Sequence, residues 1–187
     1  MEDVYRRIDG EEIAELTLEL ANIAGPEGRE EPVGECVYQW LVDHDMPAAK
    51  QLVTGTRFNV LSTLRGVGGG PSLAINAHMD TVAIFQGEAQ TGVHDAGAYR
   101  AWREEDKLFG LAVVNDRGCL ATFLAAGKAL KEAGVKLKGD LVMTAVVGEI
   151  GAAPIEEYQG SEFIGKGIGT RHALAYGPHV DYALVAE

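Results

Sequence analysis

Leu73-Ala74-Ile75-Asn76-Ala77-His78-Met79-Asp80-Thr81-Val82 is a short apolar run that ends in a histidine and an aspartate. The Gly68-Gly69-Gly70-Pro71 break before it and the length of Leu73–Ala77 predict a buried strand. Side chains alternate along a strand, so His78 and Asp80 share a side at its carboxyl end. An imidazole with a carboxylate close enough to orient it is a common metal-ligand arrangement. The tripeptide alone is equally compatible with a structural histidine, so its meaning depends on what else reaches that edge.

Working outward, residues 9–24 predict an amphipathic helix: Asp9 caps it, Ile13, Leu16, Leu20 and Ile23 share a face, and Gly25-Pro26 ends it. Residues 30–44 repeat the pattern with Val33, Val37, Trp40 and Leu41 inward and Pro32 in the first turn. Gln51–Thr54 and Phe58–Leu64 read as strands, and a hairpin is expected near Tyr99–Leu108. Residues 117–133 form the clearest helix, closed by Gly134. Leu141–Val147 is continuously apolar, as in a sheet covered on both faces, and Tyr182–Ala186 reads as a last buried strand. Residues 151–178, rich in glycine and polar groups, predict an extended loop.

Alternating strands and helices predict an α/β fold, with a mainly parallel sheet flanked by helices. In such sheets ligands bind beyond the carboxyl ends of the strands. His78, Glu149 and Glu187 each follow a predicted strand, and Asp116 opens the long helix. Alternatives exist for each: Asp116 as a helix N-cap, Glu187 as a terminal acid.

At 187 residues the chain is long enough for one domain with a substantial core. Hydrophobic residues at 47% and charged residues at 24% are ordinary for a globular protein. The net charge of −12 argues against a nucleic-acid partner. No apolar run has the length of a membrane span, and the N-terminus lacks a signal-peptide layout, so a cytoplasmic location is expected. Cys36 and Cys119 are far apart and read as free thiols. Gly66–Gly70 precedes a strand rather than a helix, which excludes a phosphate-binding loop.

Four segments together resemble a known family: His78-Met79-Asp80-Thr81-Val82, Gly110 to Asn115-Asp116-Arg117-Gly118 opening a helix, Gly148-Glu149-Ile150-Gly151 after a strand, and Asp181 to Glu187. Ile23-Ala24-Gly25-Pro26-Glu27-Gly28 adds to the likeness. They resemble the co-catalytic zinc peptidases and deacylases of the M20 group, a phosphorylase/hydrolase-like fold that includes acetylornithine deacetylase, succinyl-diaminopimelate desuccinylase and aminoacylase.

The resemblance implies two zinc ions, with cobalt or manganese as alternatives, and hydrolysis of an amide in an N-acyl amino acid or short peptide. It implies that His78 ligates one metal, Asp80 orients His78, Asp116 bridges both metals and Glu187 completes the first shell. It also implies a cis peptide between Asp116 and Arg117. Family members place two adjacent glutamates where this chain has Gly148-Glu149-Ile150. Glu149 is therefore either the general base with a ligand missing, or the ligand with the base missing; its spacing from Asp116 fits the base. Glu156 or Glu157 is a candidate substitute, while His94, His172 and His179 do not match the family's last histidine ligand. Members are about twice this long, so residues 1–187 are expected to be the first segment of the catalytic domain. The resemblance implies that the lid or dimerisation domain, through which a homodimer would form, and the closing catalytic segment lie outside these residues. The missing glutamate also suits a second reading, a non-catalytic binding or scaffold relative on the same fold.

Overall fold

Asp9 starts the first long helix, accepting a hydrogen bond from the Glu11 N–H at 2.8 Å. In this computed structural model, which describes residues 2–82, 96–150 and 165–187, the helix is α2 (Gly10–Ala21), preceded by a single turn, α1 (Glu2–Tyr5). Leu16 and Leu20 are buried, and Ile13 and Ile23 pack partly buried beside them. Helix α3 (Glu31–Asp43) buries Val33, Val37 and Leu41, spaced four residues apart on one stripe, with Trp40 at its margin. Each such side chain contributes about 1.5–3 kcal/mol when fully buried, which outweighs the modest helix propensity of valine.

Strands β1 (Ala49–Thr54), β2 (Arg57–Leu64) and β3 (Leu73–His78) follow. A small ribbon, β4 (Trp102–Glu104) and β5 (Lys107–Phe109), is the expected hairpin. An irregular turn, Val113–Arg117, leads into α4 (Gly118–Glu132). Strand β6 (Leu141–Val146) is buried along its whole length. The chain ends in α5 (Ile168–Tyr176) and β7 (Tyr182–Val185). The main sheet has the order β1-β2-β6-β3-β7. It is parallel where β6, β3 and β7 adjoin, while β1 and β2 extend it antiparallel. The flanked α/β sheet expected from sequence is therefore present, with an antiparallel hairpin on one side. The core fills the space between α2, α3, α4 and the sheet, with Val60, Met143 and Ala145 facing Leu16, Val37 and Leu124. Gly127 lets α4 approach β6: a Cβ there would collide with the Met143 sulfur.

Two expectations fail. Residues 151–178 are not all loop, because α5 occupies Ile168–Tyr176. Gly167 and Gly177 bound the helix as its caps, and Gly169 within it is held by tertiary hydrogen bonds. The Gly169 N–H donates to the Val147 carbonyl (3.0 Å), and Asn59 Nδ2 donates to the Gly169 carbonyl (2.9 Å). Residues 151–164 lie outside the described residues, as do 83–95. The second failure is β7, which is exposed along its length rather than buried. Among the described residues it pairs with β3 alone and forms the outer edge of the sheet.

Among the described residues no helix is long and apolar enough to cross a membrane. Gly169 sits where a Cβ would stand 2.5 Å from Asn59 Oδ1 and 2.5 Å from the Val147 carbonyl oxygen. Gly169→Ala is expected to destabilise the chain by about 1–3 kcal/mol, read as a lower urea midpoint with an unchanged slope.

Candidate metal centre

Parallel pairing of β6, β3 and β7 brings their carboxyl ends to one edge. His78 is the last residue of β3, Glu149 lies three residues past β6, and Glu187 two past β7. One ligand atom from each falls within 4.8 Å of the other two. His78 is buried, Glu149 half-buried and Glu187 exposed.

His78 Nδ1 faces the Asp80 backbone oxygen at 3.0 Å and its carboxylate at 3.5 Å. Nε2 is left buried and without a hydrogen-bond partner, 3.8 Å from Glu149 Oε2. Met79 between them turns the other way into the core, the alternation that strand geometry requires. Asp80 is fully buried, and its carboxylate accepts from the backbone N–H of Glu149 (3.0 Å) and of Ile150 (2.8 Å). Burial alone would raise its pKa, but those donors and His78 hold it below the ordinary carboxylate value. Burial opposes protonation of His78, yet Asp80, Asp116 and Glu149 outweigh it and lift the imidazole above its usual value.

Asp116 does not cap α4, whose N-cap is Arg117 with no side-chain hydrogen bond. Its Oδ2 accepts from the His78 N–H at 3.1 Å, and its Oδ1 is buried without a partner. Burial pushes this carboxyl above its ordinary value, and Glu187 adds to the rise. The cis peptide precedes Asp116, joining it to Asn115, rather than following it. Asp116 stands outside the group of three, touching it through His78.

Other anticipated residues are elsewhere. His172 packs at a tilt against Tyr176 within α5, with ring centroids 4.7 Å apart, and His179 is exposed after it. His94, Glu156 and Glu157 fall outside the described residues.

Sequence reasoning missed a buried ion pair. Glu30 and Arg57 are both almost wholly buried and meet at 2.6 Å, with a second hydrogen bond of 3.0 Å from Arg57 Nε. Glu30 Oε1 also accepts from the Gly148 N–H at 3.1 Å, one residue before Glu149. Glu30 sits among Arg29 and Glu31, and nothing local separates it from solvated charge. Arg117, fully buried behind the site, was missed for the same reason; burial pulls its pKa down to about 10, against the pull of Asp80, Asp116 and Glu30. It remains a cation at neutral pH.

Buried imidazole nitrogen and carboxylate oxygen with no partner, set beside two further carboxylates, are what a divalent cation requires. The donor set is nitrogen and oxygen, which suits zinc, cobalt or manganese. The profile of peptidase family M20/M25/M40 matches residues 74–187, more than half of the chain. The chain belongs to that family. Among curated relatives, a Bacillus subtilis (strain 168) N-formyl-4-amino-5-aminomethyl-2-methylpyrimidine deformylase is 30% identical over 132 residues, covering 69% of this chain and 26% of that protein. Among solved structures, a Staphylococcus aureus tripeptidase superposes with a TM-score of 0.68 at 17% identity, over 95% of this chain and 43% of that one. A dinuclear metal-binding peptidase of the M20 family from Bacillus subtilis gives 0.58 at 16% identity, over 92% and 41%. This member thus spans about a quarter of the deformylase and about two fifths of the solved chains.

Two outcomes follow. Arg57→Met leaves Glu30 buried without its counter-ion and is expected to cost about 3–5 kcal/mol, measured by urea unfolding. Glu27 carries the second: burial and the neighbouring Asp80 push its carboxyl up to about 7. A raised folded-state pKa means that folding favours the protonated form, so this group lowers stability as pH rises from about 4.5 through 7. Glu27→Gln should therefore be more stable than the parent at pH 8 and no more stable at pH 5, by thermal unfolding at both.

Proposed function

We propose that the chain is the first catalytic segment of a metal-dependent amide hydrolase, acting on an N-acyl amino acid or a short peptide. The observation that carries this is the convergence of His78, Glu149 and Glu187 on one strand edge, with His78 Nε2 buried and unpartnered. Family membership supports amide chemistry, and the relatives' names range from a deformylase to a tripeptidase. The share of each relative that the chain spans is in keeping with a first segment.

In this reading His78 Nε2, Glu187 and Glu149 would hold a divalent ion, and Asp116 would offer its unpartnered Oδ1 to the same or a second one. The ion, zinc as first choice, would supply Lewis acidity to polarise a carbonyl and activate water. Asp80 holds the imidazole at Nδ1, so that Nε2 is left facing Glu149. Glu149 has two available roles. Its half-exposed carboxylate is placed to take a proton from water and deliver it to a departing amine. Its nearness to Glu187 supports the ligand role instead. We assign it as a ligand. Gly148 and Ile150 flank Glu149 and bring no second carboxylate to act as the base.

A non-catalytic relative is the second reading, favoured by that missing glutamate. The two separate by experiment. Titration of the metal-free chain with Zn²⁺ or Co²⁺ should show binding that His78→Ala weakens at least about ten-fold. Asp116→Ala should weaken it as well. Glu149→Gln tests the assignment: a ligand lost lowers affinity, whereas a base lost leaves affinity intact and removes hydrolysis of N-formyl and N-acetyl amino acids or dipeptides. Metal binding without hydrolysis by a longer protein that contains this segment would favour the binding reading, and no uptake of either ion would overturn the metal site.

A further inference from the structure

Arg117 is one of the largest fully buried side chains in the molecule, directly after Asp116. Its Nη1 donates to the carbonyl of Met79, the residue between His78 and Asp80. Its Nε and Nη2 are buried and have no hydrogen-bond partner. The guanidinium is packed against Gly25, where an added Cβ would lie 2.8 Å from Nη2 and 2.6 Å from a Val33 methyl.

This differs from the use of a buried arginine at Arg57, which forks onto the Glu30 carboxylate. A guanidinium has five donors in a planar fork and is normally placed where a carboxylate or phosphate can use them. Arg117 gives one bond to a backbone oxygen and leaves two nitrogens unused. Burying a cation is costly unless nearby negative charge offsets it. The hydrogen bonds do not supply that offset, so the field of the surrounding acids does.

Those acids are Asp80, Asp116 and Glu30. Glu30 is already forked onto Arg57, while Asp80 and Asp116 are fully buried and flank His78. Without a cation they repel one another. The Met79 carbonyl places Arg117 on the core side of the His78–Asp80 segment, while His78 Nε2 faces Glu149. A divalent ion held by His78 Nε2 and the unpartnered Oδ1 of Asp116 would share Asp116 with the guanidinium behind Met79.

We propose that Arg117 is a positioning residue that serves as a resident counter-cation: it holds the acidic cage together without metal and, through the same field, lowers the cage's affinity for a divalent ion. This rests on the assignment of His78, Glu149 and Glu187 as a cation site. It gives the cage a charge partner that cannot dissociate, so the ligands stay arranged before the ion arrives.

The test uses the whole 187-residue chain with Arg117→Gln and Arg117→Lys. Glutamine removes the charge and keeps a donor for the Met79 carbonyl; lysine keeps the charge and removes the planar fork. Thermal unfolding in chelator and titration calorimetry with Zn²⁺ and Co²⁺ are the two readouts. In chelator, Arg117→Gln should unfold at a lower temperature than both Arg117→Lys and the parent. Its affinity for the ion should rise about ten-fold or more, the size of effect that one neighbouring charge has on a bound proton. Arg117→Lys should bind the ion as the parent does. A residue that only fills space would weaken ion binding in both variants, and one that only clamps the Met79 carbonyl would leave it unchanged in both.

Arg117→Gln with unchanged or weaker ion affinity overturns the proposal, as does a metal-free stability equal to the parent's. If Arg117→Gln folds only when the ion is present, the proposal stands; if it stays unfolded with the ion while Arg117→Lys folds, the proposal fails. A parent chain that takes up no ion sinks the cation-site assignment alone, and the comparison in chelator then decides the role of Arg117.

Discussion

Asp80 accepts hydrogen bonds from the N–H groups of Glu149 and Ile150 while its own residue meets the His78 ring. One buried carboxylate thus joins the end of β3 to the turn after β6. Remove it and the two strands would still pair, because their register is set by the ladder from Leu73 opposite Leu141 to His78 opposite Val146. What would go is the relation between the imidazole and the Glu149 backbone. The position of a metal ligand is set less by the strand it stands on than by this link between strand ends.

The Glu30–Arg57 pair extends the same arrangement one layer back. Glu30 receives the guanidinium, the Gly28 N–H and the Gly148 N–H, so the turn carrying Glu149 is held at Gly148 by Glu30 and at Glu149 and Ile150 by Asp80. Three consecutive N–H groups are thereby satisfied by two buried acids. Such groups are costly when left unpaired and hold a single geometry when fully paired. The backbone around Glu149 is consequently ordered by residues far away in sequence, at positions 30 and 80.

Much of this was legible in the sequence because it rests on periodicity. The stripes of α2 and α3, the helix α4 and the apolar run of β6 each follow from spacing alone, and the strand ends place His78, Glu149 and Glu187 on one edge. Partners and layers were not legible. The apolar content of Tyr182–Val185 says "strand", but only the sheet order says that it is an edge. Helix α5 lacks a clear stripe and is fixed by Asn59 across the sheet. Glu30, Arg57 and Arg117 look like ordinary surface charges until the fold buries them, since no local pattern marks a charge whose partner is dozens of residues distant.

Strand β7 has a consequence beyond its place in the site. Its outer side meets no other strand among the described residues, and Tyr182, Leu184 and Val185 are more than half exposed there. A row of free amide and carbonyl groups flanked by apolar side chains is a template on which strands of separate molecules zip together. Strand-pairing capacity and ligand geometry therefore share one border of the molecule, within a few residues of Glu187.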